Sequence, residues 1–129
     1  MSEWSCVAGS TLLVPSGPHG NHLFIVLNNP KDFDGYLNSS LLVGISTIKT
    51  TKYDNTCVLK AGVHSFIKND SYVVYRDTRI ERVENLIQGI TSNTFIPHEP
   101  VSGEILAYVR NGLFESKHTP NYLKNFTFN

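Results

Sequence analysis

Short apolar, β-branched runs separated by turn residues fill the first part of the chain. Ser10-Thr11-Leu12-Leu13-Val14-Pro15 is the first. It stops at Pro15-Ser16-Gly17-Pro18-His19-Gly20, where Gly and Pro interrupt regular pairing. Residues 22–27 form a second run, and Asn28-Asn29-Pro30 with residues 32–35 read as a long polar loop. Residues 41–48 are apolar at successive positions, which marks a central strand buried on both faces. Thr56-Cys57-Val58-Leu59 is a short fourth strand, punctuated by Ala61-Gly62. Ser71-Tyr72-Val73-Val74-Tyr75 is a fifth, rich in strand-forming types.

The period then changes. Residues 79–89 carry Ile80, Val83, Leu86 and Ile87 at helix-compatible spacing, with Gly89 as the stop. A polar stretch with Pro97 and Pro100 follows. Residues 101–114 predict the strongest helix: Ile105, Leu106, Val109, Leu113 and Phe114 make one stripe, and Pro100 suits the entry. Gly112 is expected to fray or bend its last turn. The tail, 115–129, is polar, with Tyr122, Phe126 and Phe128 as docking points. About five short strands followed by one or two helices predict a mostly-β or α+β fold. Its form is a small, strongly bent sheet or barrel with a helix packed on it.

Length and composition narrow this further. A chain of 129 residues fits one domain, spanning 1–129. An apolar fraction of 40% supplies a core. Lys plus Arg equals Asp plus Glu at 11 each, so no global field favours nucleic acid or an anionic membrane. A polyanion has to bind through a local cluster of donors. Lys49, Lys52, Lys60 and Lys68 are such a cluster or a set of solvated lysines. Tyr53, Phe66 and Tyr72 nearby are base-stacking candidates or core.

Cys6 and Cys57 fit no CxxC or Cys/His ligand spacing and read as free buried thiols. The five histidines are scattered, without HxH or HExxH, so neither a metal nor a cofactor is expected. There is no GxGxxG, P-loop or GxSxG. Met1-Ser2-Glu3-Trp4-Ser5 has no basic or apolar leader pattern, and the apolar runs fall short of the roughly 20 residues of a membrane span. A cytoplasmic location without membrane contact is the expectation.

Three segments in order resemble the PemK/MazF toxin superfamily. Ala8-Gly9-Ser10-Thr11-Leu12-Leu13-Val14-Pro15 is similar to its opening strand, and residues 23–27 to the second. Val43-Gly44-Ile45-Ser46-Thr47 is similar to the strand that ends in a hydroxyl residue. Phe66-Ile67-Lys68-Asn69-Asp70-Ser71-Tyr72-Val73-Val74, with Thr78-Arg79-Ile80 behind it, is similar to the Asp-Ser-hydrophobic strand and the segment that follows. The resemblance covers roughly residues 8–90. It implies an SH3-like barrel of about five to seven strands with a C-terminal helix. It also implies a homodimer, an antitoxin-like partner, and metal-independent cleavage of single-stranded RNA through the adjacent 2′-hydroxyl.

Active members carry an Arg before the second strand, where this chain has Asn21 and His22. The family's hydroxyl partner matches Thr47 or, one register off, Ser46. Imidazole, with an ordinary pKa of about 6.5, can act as base and acid in such a reaction. His22 and His19 are therefore catalytic candidates with Thr47 and Ser46. His64, Lys68, Ser71, Arg76 and Arg79 are substrate-binding candidates. Asp70-Ser71 also reads as a turn before a strand, and Arg79 as the partner of Glu81 or Glu84. The alternative function is a barrel that binds a protein or nucleic acid without cutting it.

Overall fold

Two-residue alternation sorts the strand residues onto two faces, and each face carries its own apolar cluster. The computed structural model describes residues 4–15, 18 and 20–128. Seven strands form one curled antiparallel sheet. They are β1 (Thr11–Pro15), β2 (Asn21–Val26), β3 (Lys31–Phe33), β4 (Tyr36–Thr47), β5 (Val58–Leu59), β6 (Ser71–Arg82) and β7 (Ile96–His98). Their order is β5-β6-β4-β2-β1-β7, and β3 pairs with β4 off that path. Among the described residues two α-helices accompany them, α1 (Val83–Thr91) and α2 (Gly103–Glu115), with a short 3-10 turn at Asn121–Leu123. The expected mostly-β, barrel-like α+β architecture is present in this form. No helix among the described residues is long and apolar enough to cross a membrane.

The first face holds the larger cluster. Leu13 partners Leu23, Ile25 partners Val43, and Ile45 partners Val73. Val109 and Leu113 of α2 pack on these residues, as do Ile67 and Leu123. Ser102 caps α2 by accepting from the Ile105 N–H at 3.1 Å. At the other end, Lys124 Nζ donates to the carbonyls of Phe114 and Ser116, satisfying groups the helix leaves unpaired. α2 runs on past Gly112 to Glu115. A Cβ at Gly112 would stand 2.0 Å from the Tyr75 hydroxyl, so the glycine lets the buried Tyr75 lie against the helix. There Tyr75 donates to the Val109 carbonyl at 2.7 Å.

Only part of the second face is covered. Leu12, Val14, Phe24, Val26 and Leu42 pack against Cys6 and against Leu86 of α1, with Trp4, Val83, Ile90 and Phe95 at the margin. Phe24 lies over Gly44, where an added Cβ would meet its ring at 3.0 Å. Beyond that point the face opens.

The largest departure from sequence expectation is in β6. Residues 79–82 continue the strand, pairing with Leu42 to Ser39 of β4, and the helix starts only at Val83. The long first half of β4 offers these residues a hydrogen-bonded partner, which outweighs their helical spacing. Between the two paired stretches, residues 75–78 of β6 stand opposite the single residue Val43. Such a bulge bends a sheet and re-aims side chains. Here Tyr75 and Thr78 turn inward and Arg76 and Asp77 are left exposed. Thr78 Oγ1 closes the bulge by donating to the Tyr75 carbonyl at 2.6 Å.

The polar loop expected over residues 32–35 is a hairpin instead. Asp34 and Gly35 both have positive φ, at 46° and 84°, as a two-residue hairpin turn requires. The tail docks beside it. Phe126 meets Phe33 edge-on at 4.9 Å, Lys31 Nζ donates to the Thr127 carbonyl at 2.6 Å, and Arg110 lies 4.7 Å from the Phe128 ring centre.

Candidate functional site

The open half of the second face is a trough across β2, β4 and β6. Phe24, Ile25 and Val26 partner Gly44, Val43 and Leu42. Carried two residues further, that register brings His22 opposite Ser46, and Ser46 partners Tyr72. Cross-strand neighbours share a face, so His22, Ser46 and Tyr72 form one row. Thr47 alternates to the other face and stands at the strand end, paired with Ser71.

Three depressions join along this row. An end cleft of about 390 Å³ is lined by His22, Ser46, Thr47, Lys49, Lys68 and Ser71 among others. A middle depression of about 240 Å³ shares His22 and Ser46 with it and adds Tyr72, Arg76 and Asp77. A third, of about 430 Å³, shares Tyr72, Val74 and Arg76 with the middle one and adds Lys52, Tyr53, Asp54 and His118. The trough thus has cationic side chains at both ends: Lys49 and Lys68 at one, Arg76 and Lys52 at the other.

His22 is half-buried, and its Nδ1 is shielded from solvent with no hydrogen-bond partner among the described residues. A buried polar atom left unpaired costs stability. Arg76 is exposed and ion-paired with Asp77 at 3.6 Å. Arg79 pairs with Glu81 at 2.8 Å and lies over the Phe24 ring at 5.4 Å, on the paired stretch beyond the bulge. It does not line the trough depressions. Ser71 donates to the Asn69 carbonyl at 2.8 Å, a turn bond that leaves its oxygen able to accept. Asp54 is half-buried. Burial pushes its carboxyl up, but hydrogen bonds from Ser116 and Thr56 outweigh that and hold it below the ordinary Asp value. Its charge is therefore held by the protein.

His64 lies elsewhere, and the structure does not bring it into the trough. It is 4% exposed, behind β1 and β7. Its Nδ1 accepts from the Phe66 N–H at 3.0 Å, because an N–H can only donate. Nε2 therefore carries the proton and donates to the Glu99 carbonyl at 2.8 Å. The ligand atoms of His64, His98 and Glu99 all lie within 4.8 Å of one another. With the His64 nitrogens committed to backbone, the cluster offers a metal only the donors of His98 and Glu99. The Glu99 carboxyl is held low chiefly by the Ser65 hydroxyl, then by His98. His19, the other catalytic candidate, lies outside the described residues.

Both cysteines are buried. Burial raises the Cys57 thiol to about 11, which keeps it protonated and poorly nucleophilic. In the tail, His118 borders the trough, while Phe126 and Phe128 dock against Phe33 and Phe114 instead.

The sequence reading missed the cross-strand row itself and the place of His118 beside Lys52 and Tyr53. The row depends on register between segments far apart in sequence, which single-strand patterns do not carry. Chemically, the trough joins an imidazole with a free nitrogen, a hydroxyl row and flanking cations. That set suits an anion with transferable protons nearby. No family model, curated protein or solved structure was found to match the chain.

Proposed function

We propose that the trough binds single-stranded RNA and that His22 drives its cleavage without a metal. On this reading the chain is a toxin-like endoribonuclease on an SH3-like barrel of the PemK/MazF type. It works as a cytoplasmic homodimer, restrained by an antitoxin-like protein that occupies the trough. The observation that carries the reading is His22 set across from Ser46 in a cleft that also holds Lys68 and Thr47.

The steps follow from that geometry. His22 takes the proton from a 2′-hydroxyl, whose oxygen attacks the adjacent phosphorus. The bond from phosphorus to the 5′-oxygen breaks, and His22 returns the proton to that oxygen. The products are a 2′,3′-cyclic phosphate and a 5′-hydroxyl. Lys68 and Arg76 offset the charge that builds on the phosphoryl oxygens, and Ser46 and Thr47 orient the phosphate. Imidazole stands where the family's Arg would be. It brings proton transfer, and the two cations take over charge stabilisation.

The test is incubation of the pure protein with mixed-sequence RNA in EDTA. Fragments ending in 2′,3′-cyclic phosphate are expected, and the all-deoxy version of the same sequence stays intact. RNA left whole at high protein concentration refutes the ribonuclease reading. It would favour the second reading, a barrel that binds a protein or nucleic acid without cutting. That alternative draws on the Asn21-His22 replacement of the family's Arg and on the zero formal net charge.

A further inference from the structure

We infer that Tyr53 and Tyr72 form a base-stacking subsite that makes the trough select single-stranded over double-stranded RNA. The inference rests on the reading of the trough as an RNA site and names what that site selects. Tyr72 belongs to the His22–Ser46 row and lines both the middle and the third depression. Tyr72 stands across Ser46 from His22, on the neighbouring strand. The two tyrosine rings lie 5.2 Å apart at 43°, a tilt that leaves neither face fully covered by the other. Both side chains are half-buried, so the rings combine support from below with access from the trough.

The loop that carries Tyr53 is fixed before any ligand arrives. Asp54 Oδ2 accepts from Ser116 at 2.6 Å, and Asp54 Oδ1 from Thr56 Oγ1 at 2.6 Å and the Thr56 N–H at 3.1 Å. Ser116 is the C-cap of α2 and fully buried, so the loop is tied to the core helix. A ring held this way loses little freedom on stacking. Lys52 and Arg76 line the same depression and suit the phosphates on either side of the stacked base. Its volume of about 430 Å³ falls within the ~300–1,000 Å³ of small-ligand sites.

Stacking on an aromatic ring is tolerant of base identity, because every base offers a flat face. A base inside a duplex has both faces already covered by its neighbours. The subsite therefore discriminates by strandedness.

Binding of a fluorescein-labelled 2′-O-methyl RNA heptamer, single-stranded or in duplex, tests this directly. The methyl group blocks the nucleophile, so binding is read without cleavage. The wild type should bind the single strand tighter than the duplex. Tyr53→Ala should weaken the single strand by about tenfold, the order expected for one lost stack, and leave duplex binding unchanged. Tyr53→Phe should match the wild type. Tyr53→Leu, which keeps apolar contact with Tyr72 but has no flat face, should behave like Tyr53→Ala, and its melting curve reports on the fold. Unchanged single-strand affinity in Tyr53→Ala and Tyr53→Leu overturns the inference, as does a wild type that binds neither form. Tyr53-dependent binding without cleavage of unmodified RNA leaves the subsite standing and removes the ribonuclease. Cleavage with the same KM in Tyr53→Ala does the reverse.

Discussion

The second face of the sheet is one surface with two fates. Around Phe24, Val26 and Leu42 it is sealed by α1 and the segment bearing Cys6 and Trp4. Further along the sheet, at His22 of β2, Ser46 of β4 and Tyr72 of β6, it lies open. The covered half is apolar. The open half carries an imidazole, hydroxyls, phenols and a guanidinium. The bulge at residues 75–78 sits at the border, turning Tyr75 to the core and Arg76 to the trough. The lesson is that burial on a sheet face is decided by what packs over it. The strands supply the same alternation in both halves.

The two placed histidines of the candidate set sharpen the contrast. His64 has both nitrogens engaged by backbone groups within the fold. His22, on the open half, has one buried nitrogen with no partner among the described residues.

The largest effect expected from breaking this contrast is on catalysis. His22→Ala should lower RNA cleavage by about 10²–10⁴-fold, the usual range for removing a general base. Initial rates in EDTA measure it. Ser46→Ala should reduce cleavage more than Thr47→Ala, because Ser46 shares the row with His22 and Thr47 faces the other way. The reverse order would mean the substrate enters from the strand ends.

In the covered half the expected loss is stability. Leu86→Ala should cost about 2–5 kcal/mol in urea unfolding, since Leu86 is 1% exposed and its removal leaves a cavity under α1. RNA affinity of the folded protein should hold. On the first face, Gly112→Ala should cost about 1–3 kcal/mol or more by driving a methyl into Tyr75. A near-wild-type melting curve would show that α2 and Tyr75 can part freely.

The smallest effect concerns Asp54. Its pKa is lower folded than unfolded, so its contribution is present above the ordinary Asp value and lost as pH falls through the folded value. Asp54→Asn should therefore be less stable than wild type at neutral pH, and the difference should shrink in acid. A gap that persists unchanged below pH ~3 would assign the loss to packing.

Strand positions were legible where alternation or apolar runs were strong, at residues 11–15, 22–26, 41–47 and 71–75. Asp34-Gly35 is a hairpin dipeptide between short strands, although the polar composition of residues 32–35 reads as a loop. Residues 79–82 were not legible. Ile80, Val83 and Leu86 fit a helix, and only the partner strand 39–42 makes the first of them a strand residue. β7 is three residues long with Pro97 at its centre, too little pattern to stand out. For the site, chemistry by residue type pointed to His22, Ser46, Thr47 and Lys68, which the fold gathers into one cleft. His64 sits apart from that cleft, in surroundings that come from residues 11 and 99 and that its own segment does not reveal.

The most direct test compares His22→Ala with His64→Ala, measuring RNA cleavage and thermal unfolding on the same samples. The account predicts that His22→Ala melts like wild type and no longer cuts. It predicts that His64→Ala melts lower, while its folded fraction cuts at the wild-type rate. A His22→Ala protein that cleaves as wild type does would contradict the account at its centre.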